Sequence, residues 1–137
     1  MGKSGFPRLL HPTVDAVNVR DVAVFYGELL GLNYDADVAD GEPQWVELVD
    51  STGAVRLAVQ RVDSLTQTTW PSPDVPMQLH LEFIVDSRDE LSRHVERACA
   101  LGAIVLMDRS DERDEQVFVL ADPAGHPFCL LSRVELY

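Results

Sequence analysis

The amino-acid sequence predicts an α+β fold made of two consecutive βαβββ modules. Three observations predict it: two amphipathic stretches that each open on a helix-capping residue, strand-like segments before and after each stretch, and an Asp-x-x-Gly turn at the same place in both halves. The caps Asn18 and Ser87 stand 69 residues apart, and the turn aspartates Asp50 and Asp122 stand 72 apart. Two independent landmarks thus give nearly one repeat length, and a slightly longer second helix accounts for the difference.

The first module, about residues 11–60, opens on a strand over 13–17. In NVRDVAVFYGELLG the apolar residues Val22, Phe25, Tyr26, Leu29 and Leu30 recur at helical spacing. Asn18 caps this helix, Asp21 sits three residues on, and Gly31 stops it. Three strands are expected after it, over 33–38, 44–49 and 55–60. The linker, 61–77, is longer than an ordinary connection and carries Trp70-Pro-Ser-Pro, which reads as a module crossover or a binding loop. The second module, about 78–132, repeats the grammar: a strand over 79–85, a helix capped by Ser87 and stopped by Gly102, then strands over 103–107, 116–120 and 127–131. The whole chain reads as one domain.

Composition narrows the function. The chain of 137 residues holds 11 Lys and Arg against 23 Asp and Glu, for a formal net charge of -12. Phosphate backbones call for a cationic surface, so nucleic acid is excluded as a partner and anionic membrane surfaces are disfavoured. No apolar run approaches the roughly 20 residues that cross a bilayer, and the opening MGKSGFPRLLHP lacks the apolar core of a secretory signal. Two cysteines cannot staple a small secreted fold, so a cytoplasmic location is expected. Cys99 reads as helix packing and His94 as the rim of the second helix.

The repeat also aligns polar residues. His11 lies seven residues before Asn18, and His80 lies seven before Ser87, at the start of equivalent strands. Alternation along a strand puts His80 and Glu82 on one face and Leu79, Leu81 and Phe83 on the other, toward the helix. His11, Thr13 and Asp15 share a face in the first module, and Pro127, Cys129 and Leu131 share one on the last strand. Counting four residues from the turn glycines makes Leu57 the counterpart of Cys129. If these polar faces curve about one hollow, His11, His80 and Cys129 offer two imidazoles and a thiolate to zinc or another borderline metal, with Glu82 or Asp15 as general base beside it. Against that stand ordinary roles: a pocket histidine, a core cysteine, a frayed start at His11. Trp70, Gln60 and His126 are the candidates to touch a ligand. Phosphate-binding glycine loops, a G-x-S-x-G elbow and H-E-x-x-H do not occur.

Taken together, VNVRDVAVFYGELLGL, LAVQ, TWPSP, QLHLEFIVD, ALGA and especially ADPAGHPFCLL resemble the vicinal-oxygen-chelate superfamily of glyoxalases, bleomycin-resistance proteins and extradiol dioxygenases, in its glyoxalase-like domain branch. The resemblance spans about residues 11–132. It implies paired modules forming an open, half-barrel sheet around a cavity, and a homodimer, since modules of such proteins often pair across chains; pairing within one chain is the open alternative. It implies one divalent metal (zinc, iron, manganese or nickel), or none, as in members that only sequester a small molecule. By position His11 and His80 fall on its metal-histidine places, and Cys129 falls where metal-using members carry a glutamate. Two functions follow as expectations. One is a metal-assisted lyase, isomerase or dioxygenase acting on a small oxygen-rich or aromatic substrate. The other is a metal-free binding protein of the bleomycin-resistance type.

Overall fold

The computed structural model describes residues 5–34 and 43–133. They form β1 (Thr13–Ala16), α1 (Val19–Leu30), β2 (Trp45–Val49), β3 (Val55–Arg61), β4 (Leu81–Ile84), α2 (Arg88–Ala100), β5 (Ile104–Arg109), β6 (Glu115–Ala121) and β7 (Pro127–Arg133). Of the strand expected over 33–38, Asn33 makes an isolated bridge to Val49, and positions 35–38 lie outside the described residues. The other expected elements are present, shifted by one or two residues at their ends, as fraying and cap geometry allow.

The helices begin where the side chains can cap them. Asn18 Oδ1 accepts from the Asp21 N–H at 3.2 Å, and Ser87 Oγ accepts from the Glu90 N–H at 3.1 Å. Gly31 ends α1 with φ of 68°, a conformation a Cβ would oppose, while its N–H bonds back to the Gly27 carbonyl. The last residue in α2's cap is Leu101 rather than the expected Gly102, which follows it with φ of 115°. Cys99 is exposed on α2 rather than packed.

Duplication is explicit in the sheets. One has the order β1-β3-β2 and the other β4-β7-β6-β5. Each module's first strand runs parallel to its last, and the hairpin partner runs antiparallel. Both sheets are open, and both lay one face on the helices. Val14, Ala16, Leu57, Val59, Phe128 and Leu130 join the buried cluster with the apolar stripe of α1 and α2. The modules interlock through α1: Phe25 and Tyr26 pack edge-on against Phe128, and Tyr26 packs edge-on against Phe83.

Register corrects two expectations. The irregularity between Leu48 and Val49 pairs Leu48 with Leu57 and Val49 with Val55, which inserts one residue after the first turn. Thr13 therefore pairs with Ala58, as Glu82 pairs with Cys129. Ala58, not Leu57, is the counterpart of Cys129, and Leu57 is 2% exposed in the core. Leu79 does not face the helix with Leu81 and Phe83. It precedes β4 and is 70% exposed.

Arg97 ties the two helices. Its guanidinium donates to the Glu28 carbonyl of α1's last turn at 2.6 Å and to His94 Nδ1 at 2.7 Å. A cation on a helix C-terminal carbonyl satisfies an orphan acceptor and opposes the negative end of the dipole. Arg97→Ala should lower unfolding free energy by about 1–2 kcal/mol, read as a lower urea midpoint with an unchanged slope.

Candidate metal and ligand site

Three chemically different donors meet on the face of the second sheet that turns away from the helices. His80, Glu82 and Cys129 place a ring nitrogen, a carboxylate oxygen and Sγ all within 4.8 Å of one another. The local structure explains this. His80 and Glu82 are two residues apart in extended chain, hence on one side. Cys129 is the register partner of Glu82 across the parallel β4–β7 pair, hence on that side too. His80 Nε2 lies 3.2 Å from Glu82 Oε2, and since a carboxylate only accepts, the ring nitrogen donates. Burial first, then the Glu82 and Glu115 carboxylates, push the Cys129 thiol up to about 11. Unligated, it is a thiol at neutral pH.

Beside this cluster lies a cavity of about 440 Å³, within the range of small-molecule sites. Its walls come from both modules and the linker: Thr13 and Asp15 of β1, Tyr26 of α1, Thr66 and Met77 of the linker, and His80 and His126 at the mouths of β4 and β7. His80 belongs to cavity and cluster alike. His126 lies on the seam, with its Nε2 on the Asp15 carbonyl. A carbonyl can only accept, so Nε2 carries a proton. The Asp15 side chain is half-buried and meets Gln60 Nε2 at 3.4 Å.

The Asp122 turn holds this corner. Its Oδ1 accepts from the N–H groups of Ala124 and His126, at 2.8 and 3.0 Å, and its Oδ2 accepts from Tyr26 Oη at 2.6 Å. Burial raises the Asp122 pKa despite these bonds, and burial with the neighbouring Asp122 charge raises that of Tyr26.

The sequence-derived candidates thus separate. His80, Glu82 and Cys129 converge. Asp15 and His126 line the cavity with His80. His11 lies outside the donor group. Its Nδ1 donates to the Pro12 carbonyl at 3.0 Å, and its ring is tilted toward Trp45 at 6.2 Å between centroids. Gln60 touches Asp15 from outside the cavity lining, and Trp70 is half-buried in the linker, also outside it. The linker residues Thr66 and Met77 and the helix residue Tyr26 were missed as cavity walls. Only the linker's excess length signalled the first two, and Tyr26 carried an ordinary core pattern.

Comparison with known proteins gives a consistent picture. A family model described as a glyoxalase-like domain matches residues 11–131. No curated protein matches the chain in sequence. Among solved structures, the fold is similar to that of the fosfomycin resistance protein FosX from Mesorhizobium loti, at 16% identity over 94% of each chain and a TM-score of 0.67. It is also similar to a glyoxalase/dioxygenase from Nostoc punctiforme, at 18% identity over 98% of this chain and 97% of that one, TM-score 0.68. A glyoxalase/bleomycin resistance protein/dioxygenase family enzyme from Burkholderia phytofirmans shares 14% identity over 91% and 98% of the two chains, TM-score 0.66. At such identities the likeness is one of fold. Among the described residues, no helix is long and apolar enough to cross a membrane.

Proposed function

The chain belongs to the glyoxalase-like domain family, and from that membership we propose a small-molecule enzyme served by one divalent metal on His80, Glu82 and Cys129. The observation that carries this reading is the meeting of an imidazole, a carboxylate and a thiol within 4.8 Å, at the edge of a cavity. Nitrogen, oxygen and sulfur donors are the set that zinc accepts, and three of them leave a position open. Bound there, the metal would supply a Lewis acid that polarises a substrate oxygen.

This chain's own residues do the rest. The cavity holds a small oxygen-rich or aromatic substrate and sets it beside His80. Asp15, half-buried on the β1 wall, is the base that takes a proton and returns it. His126, locked by the Asp15 carbonyl, offers Nδ1 to a donor on the substrate. The reaction class is that of a lyase, isomerase or dioxygenase, and the fosfomycin-resistance and dioxygenase relatives support small-molecule chemistry on this scaffold. The working unit in this reading is a homodimer in which His11 of a second copy approaches His80, because the two histidines occupy equivalent places in the repeat and do not meet within one chain.

Metal analysis of protein purified without chelator tests the proposal. The expected result is about one zinc, iron, manganese or nickel per chain and a lower melting temperature after chelation. Absence of stoichiometric metal, with added zinc leaving the melting temperature unmoved, overturns it. The rival reading is a metal-free sequestering protein, favoured by the buried Cys129 thiol that stays protonated at neutral pH. It predicts stabilisation by an aromatic ligand that survives chelation.

A further inference from the structure

The cavity's charge selects its ligand. Among the described residues that line it there is no lysine and no arginine. Its one carboxylate, Asp15, is half-buried, and among the described residues its side chain meets the neutral amide of Gln60, at 3.4 Å, and no lysine or arginine. His126 spends its Nε2–H on the Asp15 main-chain carbonyl, and His80 directs its own toward Glu82. The rest of the lining is hydroxyl, amide and apolar, from Thr13, Thr66, Gln78, Met77 and Leu81 among others. The whole chain adds a formal net charge of -12, a field that concentrates cations and repels anions.

We propose that the cavity binds a small organic cation, a protonated amine whose charge is met by Asp15, and that it turns anionic ligands away. A carboxylate partly removed from water, with no lysine or arginine on it among the described residues, leaves an interaction that an ammonium group completes. The apolar and aromatic lining, Tyr26, Leu81 and Pro127, suits the hydrocarbon part of such a molecule. This inference rests on the reading that the cavity is the ligand site, and it is made for the metal-free chain, since a divalent cation on His80 would oppose an ammonium group.

The test is isothermal titration calorimetry with three probes of one shape and three charges, phenethylamine, phenethyl alcohol and phenylacetate, on the intact chain as purified and after chelation. Phenethylamine should bind at least about ten-fold tighter than the alcohol, the size expected of a partly buried charge pair, and phenylacetate should be the weakest. In Asp15→Asn the amine's advantage should fall to about two-fold or less while the alcohol's affinity holds, which separates loss of charge from loss of shape. Rising salt should weaken the amine and leave the alcohol alone. Phenylacetate binding as tightly as the amine, or an amine advantage that survives Asp15→Asn, overturns the cation inference and leaves the cavity as a ligand site. No binding by any probe at millimolar concentration overturns both, and leaves the metal proposal to its own test.

Discussion

Asp122→Ala should lower the unfolding free energy by about 2–4 kcal/mol, the scale for stranding buried hydrogen-bond donors at about 1–3 kcal/mol each. Asp122 is 4% exposed and accepts from three donors: Tyr26 Oη, and the Ala124 and His126 amides. Alanine would leave all three without a partner, and a buried donor left unpaired costs more than a hydrogen bond gains. A domain of this size has a stability of only about 5–15 kcal/mol, so the variant should be close to half-unfolded in mild denaturant. Urea titration followed by circular dichroism reads this directly. A loss below 1 kcal/mol would show that the turn is held by its backbone bonds alone.

The pH dependence of the same group has a definite sign. Burial, the first cause, raises the folded pKa of Asp122 above its ordinary carboxylate value. Between the unfolded and folded values the native chain binds the extra proton, so stability attributable to this group falls as pH rises through that window and is flat beyond it. Asp122→Asn keeps an acceptor for the two amides and cannot titrate. The difference between wild type and Asp122→Asn should therefore shift in favour of Asn as pH rises from the acid range, and then level off.

The sequence foretold the frame well because local chemistry determines it. Asn18 and Ser87 cap helices since their side chains reach N–H groups three residues on, and period-two alternation aligned His80 with Glu82. Pairing is where local reading stopped. A single inserted residue near Val49 moved Ala58 into the place expected for Leu57, and nothing in the sequence announces a bulge of that kind. Parity alone ranked Glu82 as a base behind the metal. Only the parallel β4–β7 register sets it opposite Cys129. The linker's part in the cavity depends on the long-range placement of Thr66 and Met77 around the same hollow as Thr13 and Tyr26, for which no periodic pattern exists. The repeat makes His11 the counterpart of His80 in the chain, yet the donor group does not include it, since symmetry of position is not proximity in one copy.

The donor cluster gives the other large effect. His80→Ala should weaken zinc affinity by at least about 100-fold, more than the loss usual for residues that merely support a metal's ligands. The argument is one of donor count. With three protein donors, removing the imidazole leaves Glu82 and Cys129, and the thiol must still give up a proton from a pKa of about 11 before it can bind. Two donors, one of them reluctant, do not hold a metal against water and buffer. Cys129→Ser should also weaken binding, since a hydroxyl is a poorer ligand for zinc than a thiolate, while its fold stays intact because the two side chains differ by one atom. Glu82→Gln removes the negative charge that opposes thiol ionisation, so the free thiol should become more reactive toward a maleimide probe even as metal affinity falls. Competition against a fluorescent zinc chelator measures all three, with circular dichroism to verify folding. Full zinc affinity in folded His80→Ala would remove His80 from the site, and with it the link between cluster and cavity on which the enzyme reading depends.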